Sequence, residues 1–533
     1  VRRARRLALL AGLLALPLAG CDWDQFALLN SVPVHGDPGA NPEVQVFLAV
    51  DGLSYDTVQD AARQDRSLRE ALGPGGGWSA APFVSMFPAT SDASWSRILR
   101  TPRESGYEYQ YYDPVGDEVK RAGLPGLATH ALPEFPAAPL LEGPPYYRAF
   151  DSYADGYLST LWSYRDSEGA LGDALDNLFF LLPRRGEFAH TFTGYLLEVD
   201  AMGHIQHKED VTRAFLQVWR RIQDFKKKHP ERRYVFTLLS DHGMDFQRAR
   251  GPELLDFESL MPGLGLTPVK RLAEGRGTGQ VYAIPIIHTR VSYLALHTDP
   301  ELSEEVARRA STLNAVDVAL ARASPRPDIA ALLPGVALEW YGLWRNGKVL
   351  VSFGYDPAQN RYYLPSDGKY GELGVKLNAH GGDDASGEDG KAPPFSVHTD
   401  EELFALTRDA KYPDLFFRAR TALQPLSVEY PAQVLLSFRR PYASAGFKLP
   451  GGANEIASEG FHGALDAGSS RGTLLTEARA LPSTVRSDSV MALFPALREH
   501  VEEKAGALVD ADAHADLDYA QVEAEAAAAG LAQ

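Results

Sequence analysis

Five side chains in this sequence are of the types and at the spacing needed to hold a metal ion. They are Asp51, after the apolar run VQVFLAV, Asp200 and His204 in DAMGH, and Asp241 with His242 in SDHGM. Each aspartate ends an apolar, β-rich run, and the last two are followed by an imidazole that can reach the same ion. Carboxylate and imidazole without thiolate suit zinc or manganese in a hydrolytic role. A single aspartate after a buried strand is as readily a helix N-cap. Three such strand ends, two of them followed by histidine, point to one shared site.

For the carboxylates to meet, the runs that carry them must lie side by side. The segment 44–50, the run FTGYLLEV ending at Val199 and the run YVFTLLS ending at Ser240 read as strands buried on both faces. Helix-like stretches such as 211–227 separate them, and this alternation predicts an α/β fold with a doubly wound, mostly parallel sheet flanked by helices. In such sheets the ligand site lies off the carboxyl ends of the strands. The first part of the core is expected over 43–290, with a cap-like insertion rich in Tyr, Pro and Gly at 101–186. An inserted subdomain is expected over 291–449, with a helix near 300–323, strands around 336–355 and a Gly-rich loop at 381–387. Residues 450–500 would complete the core, and the Ala- and Glu-rich 501–533 reads as a C-terminal tail.

The order of these strings resembles the phosphodiesterases of the alkaline phosphatase superfamily, in particular the type I phosphodiesterase/nucleotide pyrophosphatase branch. That family has a first strand ending on a metal-binding Asp and a hydroxyl nucleophile in an FPxxTxPS/N string. Asp-x-x-Gly-His, Asp-His-Gly and a late Gly-x-His-Gly follow. The matching residues here are Asp51 in VDGLS, Ser91 in FPATSDASW, Asp200 and His204 in DAMGH, Asp241 and His242 in SDHGM, and His462 in GFHGA. The runs SSRGTLL and ALPSTVRSDSVMALFPAL resemble the family's final strand and closing helix.

The resemblance implies an alkaline-phosphatase-like fold with an inserted cap, and a hydrolase with two Zn2+, Mn2+ suiting it less. One ion would be held by Asp200, His204 and His462, the other by Asp51, Asp241, His242 and the oxygen of Ser91. Ser91 would attack phosphorus and form a phosphoseryl intermediate. The branch usually carries threonine at that position, and Thr90 and Ser94 stand close by. The branch also has a His-Gly-Ile and then an Asn that donates to phosphate; SGYEYQYYDP lacks that histidine, and Gln110 stands near the place of the Asn. The substrate implied is a small phosphate ester, a diester or pyrophosphate. A phosphomonoesterase of the same superfamily is the alternative, with Arg97, one helical turn after Ser91 and Ser94, as a source of positive charge for a dianion. A degenerate, non-catalytic envelope binding lipoprotein would be expected to lack ligands. The sulfatase motif C/S-x-P-x-R is absent around Ser91.

The chain has 533 residues and a formal net charge of −17, which argues against nucleic acid as a partner. Its first residues read as a signal peptide over 1–20: a basic VRRARR, an apolar stretch too short to span a bilayer, and small residues before Cys21, the single cysteine. LAGC resembles the bacterial lipobox, which implies acylation of Cys21, a tether over 21–42 and a lipid-anchored place in the bacterial cell envelope. His207, His288, His297, His380 and His398 read as surface or loop histidines. The tyrosines of 107–112 read as aromatic capping of a core, or else as a surface on which a base or sugar could stack.

Overall fold

Alternate residues of the first strand serve two different cores. The computed structural model describes residues 43–108, 110–121, 145–153, 163–186, 189–246, 253–288, 290–377, 394–445 and 459–505. The proposed leader, tether and Cys21, the loop 381–387 and His380 lie outside them. In strand β1 (Glu43–Val50), Val44, Val46, Leu48 and Val50 enter one apolar cluster, while Phe47 and Ala49 enter another. A strand covered on both faces has no polar face, which is why its sequence runs apolar without alternation.

Five more strands complete this sheet: β2 (Ser79–Val84), β3 (Thr191–Leu196), β4 (Arg233–Leu239), β5 (Arg471–Thr476) and β6 (Val485–Arg486). Their order is β6-β2-β5-β4-β1-β3. β1 lies parallel between β3 and β4, so their carboxyl ends open on one edge. β5 runs antiparallel to both β4 and β2. Because β2 and β4 both run against β5, and β6 is parallel to β2, five of the six strands share one direction and the sheet is mostly parallel, as expected, with β5 as its one antiparallel member. The turn before β5 sits off the end of β4, where Gly243 N–H donates to Ser469 O at 3.0 Å, so β5 begins where β4 ends and runs back beside it.

Helices cover both faces. α1 (Tyr55–Gln64), α3 (Ser167–Gly186) and α5 (Lys208–Lys228) pack on one side, α2 (Ser91–Leu99) and α6 (Pro495–Ala505) on the other. α3 corrects the expectation that 101–186 is a cap outside the core: Leu171, Leu175, Leu178 and Leu182, a helical stripe, are fully buried against the sheet. The start of the expected tail is also structured. Val501 is buried, and His500 and Lys504 of α6 both reach the buried Asp151 carboxylate, at 3.0 and 2.7 Å.

Among the described residues a second sheet of nine strands, almost wholly antiparallel, runs from Thr267–Pro268 to Val434–Phe438, so it begins ahead of residue 291. The stretch expected to be helical at 300–323 is helix Ser303–Ala310 followed by strand Val316–Arg322; the β-branched pattern VDV prevails where the charged helical pattern ends. One face of this sheet shares a core with Met86, Phe87, Ala93 and Tyr107, which backs the second sheet onto the loop that leads to Ser91. Among the described residues no helix is long and apolar enough to cross a membrane.

Candidate active site

Asp51 follows β1 directly, and its N–H donates to Leu196 O of β3 at 3.1 Å. Asp241 follows the parallel β4, and its Oδ1 accepts from Gly52 N at 3.2 Å. The third carboxylate arrives differently from the sequence expectation. β3 stops at Leu196, and Asp200 lies in the first turn of helix α4 (Glu198–Ile205), with His204 one turn on along the same face. Gly52 makes the convergence possible: it has φ +65, and a Cβ there would lie 2.6 Å from Asp200 Oδ1.

Asp200, His204 and His462 present ligand atoms within 4.8 Å of one another, and so do Asp51, Asp200 and His242. Asp200 belongs to both groups. Asp241 stands at the edge of the second, with Oδ2 3.2 Å from His242 Nε2. All six side chains are buried.

The three imidazoles share one arrangement. Nδ1 of His204 faces Gly460 O at 3.1 Å, Nδ1 of His242 faces Gly243 O at 3.0 Å, and Nδ1 of His462 faces Ala89 O at 2.7 Å. A carbonyl oxygen only accepts, so each ring carries its proton on Nδ1 and turns an unprotonated Nε2 toward the cluster. The Nε2 atoms of His204 and His462 then stand 3.1 Å apart. Burial depresses all three rings, His204 to about 3, which keeps them neutral. Burial and the neighbouring Asp51 raise Asp200 and Asp241 well above the usual carboxylate range. Asp200 Oδ1 and Asp241 Oδ2 are buried with no hydrogen-bond partner. Facing lone pairs and orphaned carboxylate oxygens are what a cation would satisfy, so the donor set fits divalent metal ions.

The hydroxyl facing this cluster is that of Ser91. Its Oγ donates to Asp51 Oδ1 at 3.1 Å and lies 3.2 Å from His242 Nε2. Ser91 is the first residue of α2, whose free backbone N–H groups and dipole favour an anion there. Thr90 is fully buried, and its hydroxyl donates to Tyr107 O at 2.8 Å; Ser94 Oγ pairs with Ser85 Oγ at 3.1 Å.

Several expected roles find other partners. Gln110 Nε2 donates to Ile287 O at 3.3 Å, so the amide is held by the second sheet's connection and not by the Ser91 cluster. Arg97 is engaged by Asp488 in a bidentate pair at 3.0 and 2.8 Å and by Leu426 O at 2.9 Å. Tyr107 and Tyr112 are core residues whose hydroxyls reach Ala422 O and Asp117. His288, His297 and His398 are buried rather than superficial. His207 is exposed and pairs with Glu459 at 3.3 Å.

The sequence reading missed several neighbours of the cluster. Trp95 and Tyr195 both donate to Asp51 Oδ2. Asp92, next to Ser91, is raised to about 7 by burial and by Asp51, and Glu108, raised well above its ordinary range by burial, receives the Tyr293 hydroxyl at 3.1 Å. Tyr164 stacks on the His204 ring with centroids 6.1 Å apart. Only the proximity of Asp92 and Trp95 to Ser91 in SDASW was a signal available in the sequence.

No protein-family model matches this sequence, and no curated protein matches it. Among solved structures the chain is similar to phosphonoacetate hydrolase from Sinorhizobium meliloti 1021, in complex with phosphonoformate. The identity is 12% and the TM-score 0.41, over 89% of this chain and 99% of that one.

Proposed function

We propose that this protein is a two-zinc hydrolase of small phosphate esters, a phosphodiesterase or pyrophosphatase of the alkaline phosphatase superfamily that uses Ser91 as nucleophile. The observation that carries the reading is the place of Ser91 Oγ, 3.1 Å from Asp51 and 3.2 Å from His242 at the edge of the buried carboxylate–imidazole cluster. Asp200, His204 and His462 would hold one ion, and Asp51, His242 and Asp241 the other, with Asp200 close enough to serve both. Bound there, the ions would supply Lewis-acid stabilisation of the oxygens on phosphorus and lower the pKa of the Ser91 hydroxyl.

The side chains do the rest. Asp51 Oδ1 takes the Ser91 hydrogen bond and orients Oγ. The bond from Oγ to phosphorus forms as the bond to the leaving oxygen breaks, and the hydroxyl proton ends on the released alcohol or phosphate, leaving a phosphoseryl ester. Water then attacks phosphorus as the bond to Oγ breaks, and one proton of that water returns to Ser91 Oγ. The N-terminus of α2 receives the phosphoryl oxygens.

The electrostatics favour a monoanionic diester over a dianionic monoester. Arg97, the cation that a dianionic monoester would call on, is already engaged by Asp488. Turnover of bis-p-nitrophenyl phosphate against p-nitrophenyl phosphate, with zinc counted per chain, tests the reading. The diester should be preferred and two equivalents retained. A protein that holds no zinc and turns over neither ester refutes it.

A further inference from the structure

The cluster's carboxylates differ in how they are held. Asp200 Oδ1 and Asp241 Oδ2 have no donor, whereas Asp51 Oδ2 has two. The Trp95 indole N–H donates to it at 3.2 Å from α2, and the Tyr195 hydroxyl donates to it from β3. Both rings are almost fully buried and meet edge to face, with centroids 5.8 Å apart, so neither donor can swing away without opening the core.

Asp51 Oδ1 faces the other way. It accepts from Ser91 Oγ at 3.1 Å and lies 3.5 Å from His242 Nε2. Ser91 and Trp95 stand four residues apart, on one face of α2, so a single helix grips both oxygens of the same carboxylate. A carboxylate with one oxygen saturated by two donors has one oxygen left to offer.

We propose that Trp95 and Tyr195 are positioning residues that hold Asp51 by Oδ2, so that it can offer a metal ion only Oδ1, the oxygen that also orients Ser91. The inference rests on the two-metal reading and adds to it which oxygen binds and what fixes it. Two donors on Oδ2 prevent the carboxylate from rotating to a two-oxygen grip that would turn it away from Ser91. Groups that orient a ligand in this way are typically worth about 10- to 100-fold in metal affinity.

The test is release of zinc from the loaded protein to a graded chelator, beside the visible absorption of the Co2+-substituted protein. Tyr195→Phe keeps the ring and removes only the hydroxyl. It should loosen one zinc equivalent by about 10- to 100-fold, leave the other as in the wild type, and alter the Co2+ spectrum. Trp95→Phe, which removes the other donor, should loosen the same equivalent. Release curves and Co2+ spectra that coincide with the wild type in both variants would overturn the proposal. Asp51→Asn separates the two levels of the argument: it should lose that same equivalent. If Asp51→Asn holds zinc as the wild type does, Asp51 is not a ligand and the two-metal assignment itself fails.

Discussion

The Thr90 hydroxyl donates to the Tyr107 carbonyl at 2.8 Å, and this bond decides which of two adjacent hydroxyls faces the carboxylates. With Thr90 turned into the core as the residue before α2, Ser91 is left to begin the helix with its Oγ on Asp51.

Ser91→Ala should therefore keep both zinc equivalents and lose turnover by roughly a thousandfold or more, because the nucleophile goes and the carboxylates and imidazoles stay. Thr90→Ala should show the reverse pattern: a loss of about 1–2 kcal/mol in stability from the broken buried hydrogen bond, with turnover largely kept. Zinc analysis, denaturant melts and phosphodiester turnover on the two variants separate them. An inactive, stable Thr90→Ala beside a fully active Ser91→Ala would reassign the nucleophile.

Asp200 contributes to both groups of ligand atoms, His462 to one. Asp200→Asn is expected to lower zinc from two equivalents to less than one, and His462→Ala to leave close to one. Metal analysis after dialysis checks this. Equal losses in the two variants would show that Asp200 serves a single ion.

Zinc uptake should be coupled to the carboxyl groups rather than to the imidazoles. The folded-state values of Asp200 and Asp241 are raised, so without metal their contribution to stability is complete below the unfolded carboxyl value of about 3.9 and is lost as pH rises through the folded value. The rings run oppositely. With His204 depressed to about 3, their contribution is present above the unfolded histidine value of about 6.5 and is lost as pH falls toward the folded one. In the folded protein the rings are thus already deprotonated near neutrality, so the protons that zinc displaces come from the carboxyls and the Ser91 hydroxyl rather than from the imidazoles. Zinc added to the metal-free protein at pH 7 should release protons, read with an indicator dye in weak buffer, and Asp241→Asn should reduce the release. Proton release unchanged in that variant would place the protons elsewhere.

Arg97→Met tests whether this cation serves the fold or the substrate. Asp488 would be left buried without its bidentate partner, at a cost of about 3–5 kcal/mol, while the ratio of diester to monoester turnover should not move. A selective loss of monoester turnover would return Arg97 to the phosphate site.

How much of this was legible beforehand depends on how far apart the cooperating residues lie. Asp241 and His242 are adjacent and Asp200 and His204 four apart, so a buried strand followed by an acid and an imidazole already sets local donor pairs. The two-sided apolarity of 44–50 likewise shows a strand with helices on both faces, because no polar face is left for water. Other features are contacts between residues far apart in sequence. Asp488 neutralises Arg97, Tyr195 grips Asp51, and the Tyr107 carbonyl turns Thr90 away from the site. The contact of Gly243 with Ser469, off the end of β4, is of the same kind. Composition and spacing determine which side chains can bind an ion and which segments can be buried. Which oxygen of a carboxylate is left free, and which of two neighbouring hydroxyls meets it, depends on donors brought in by other strands and helices, and only the packed structure decides that.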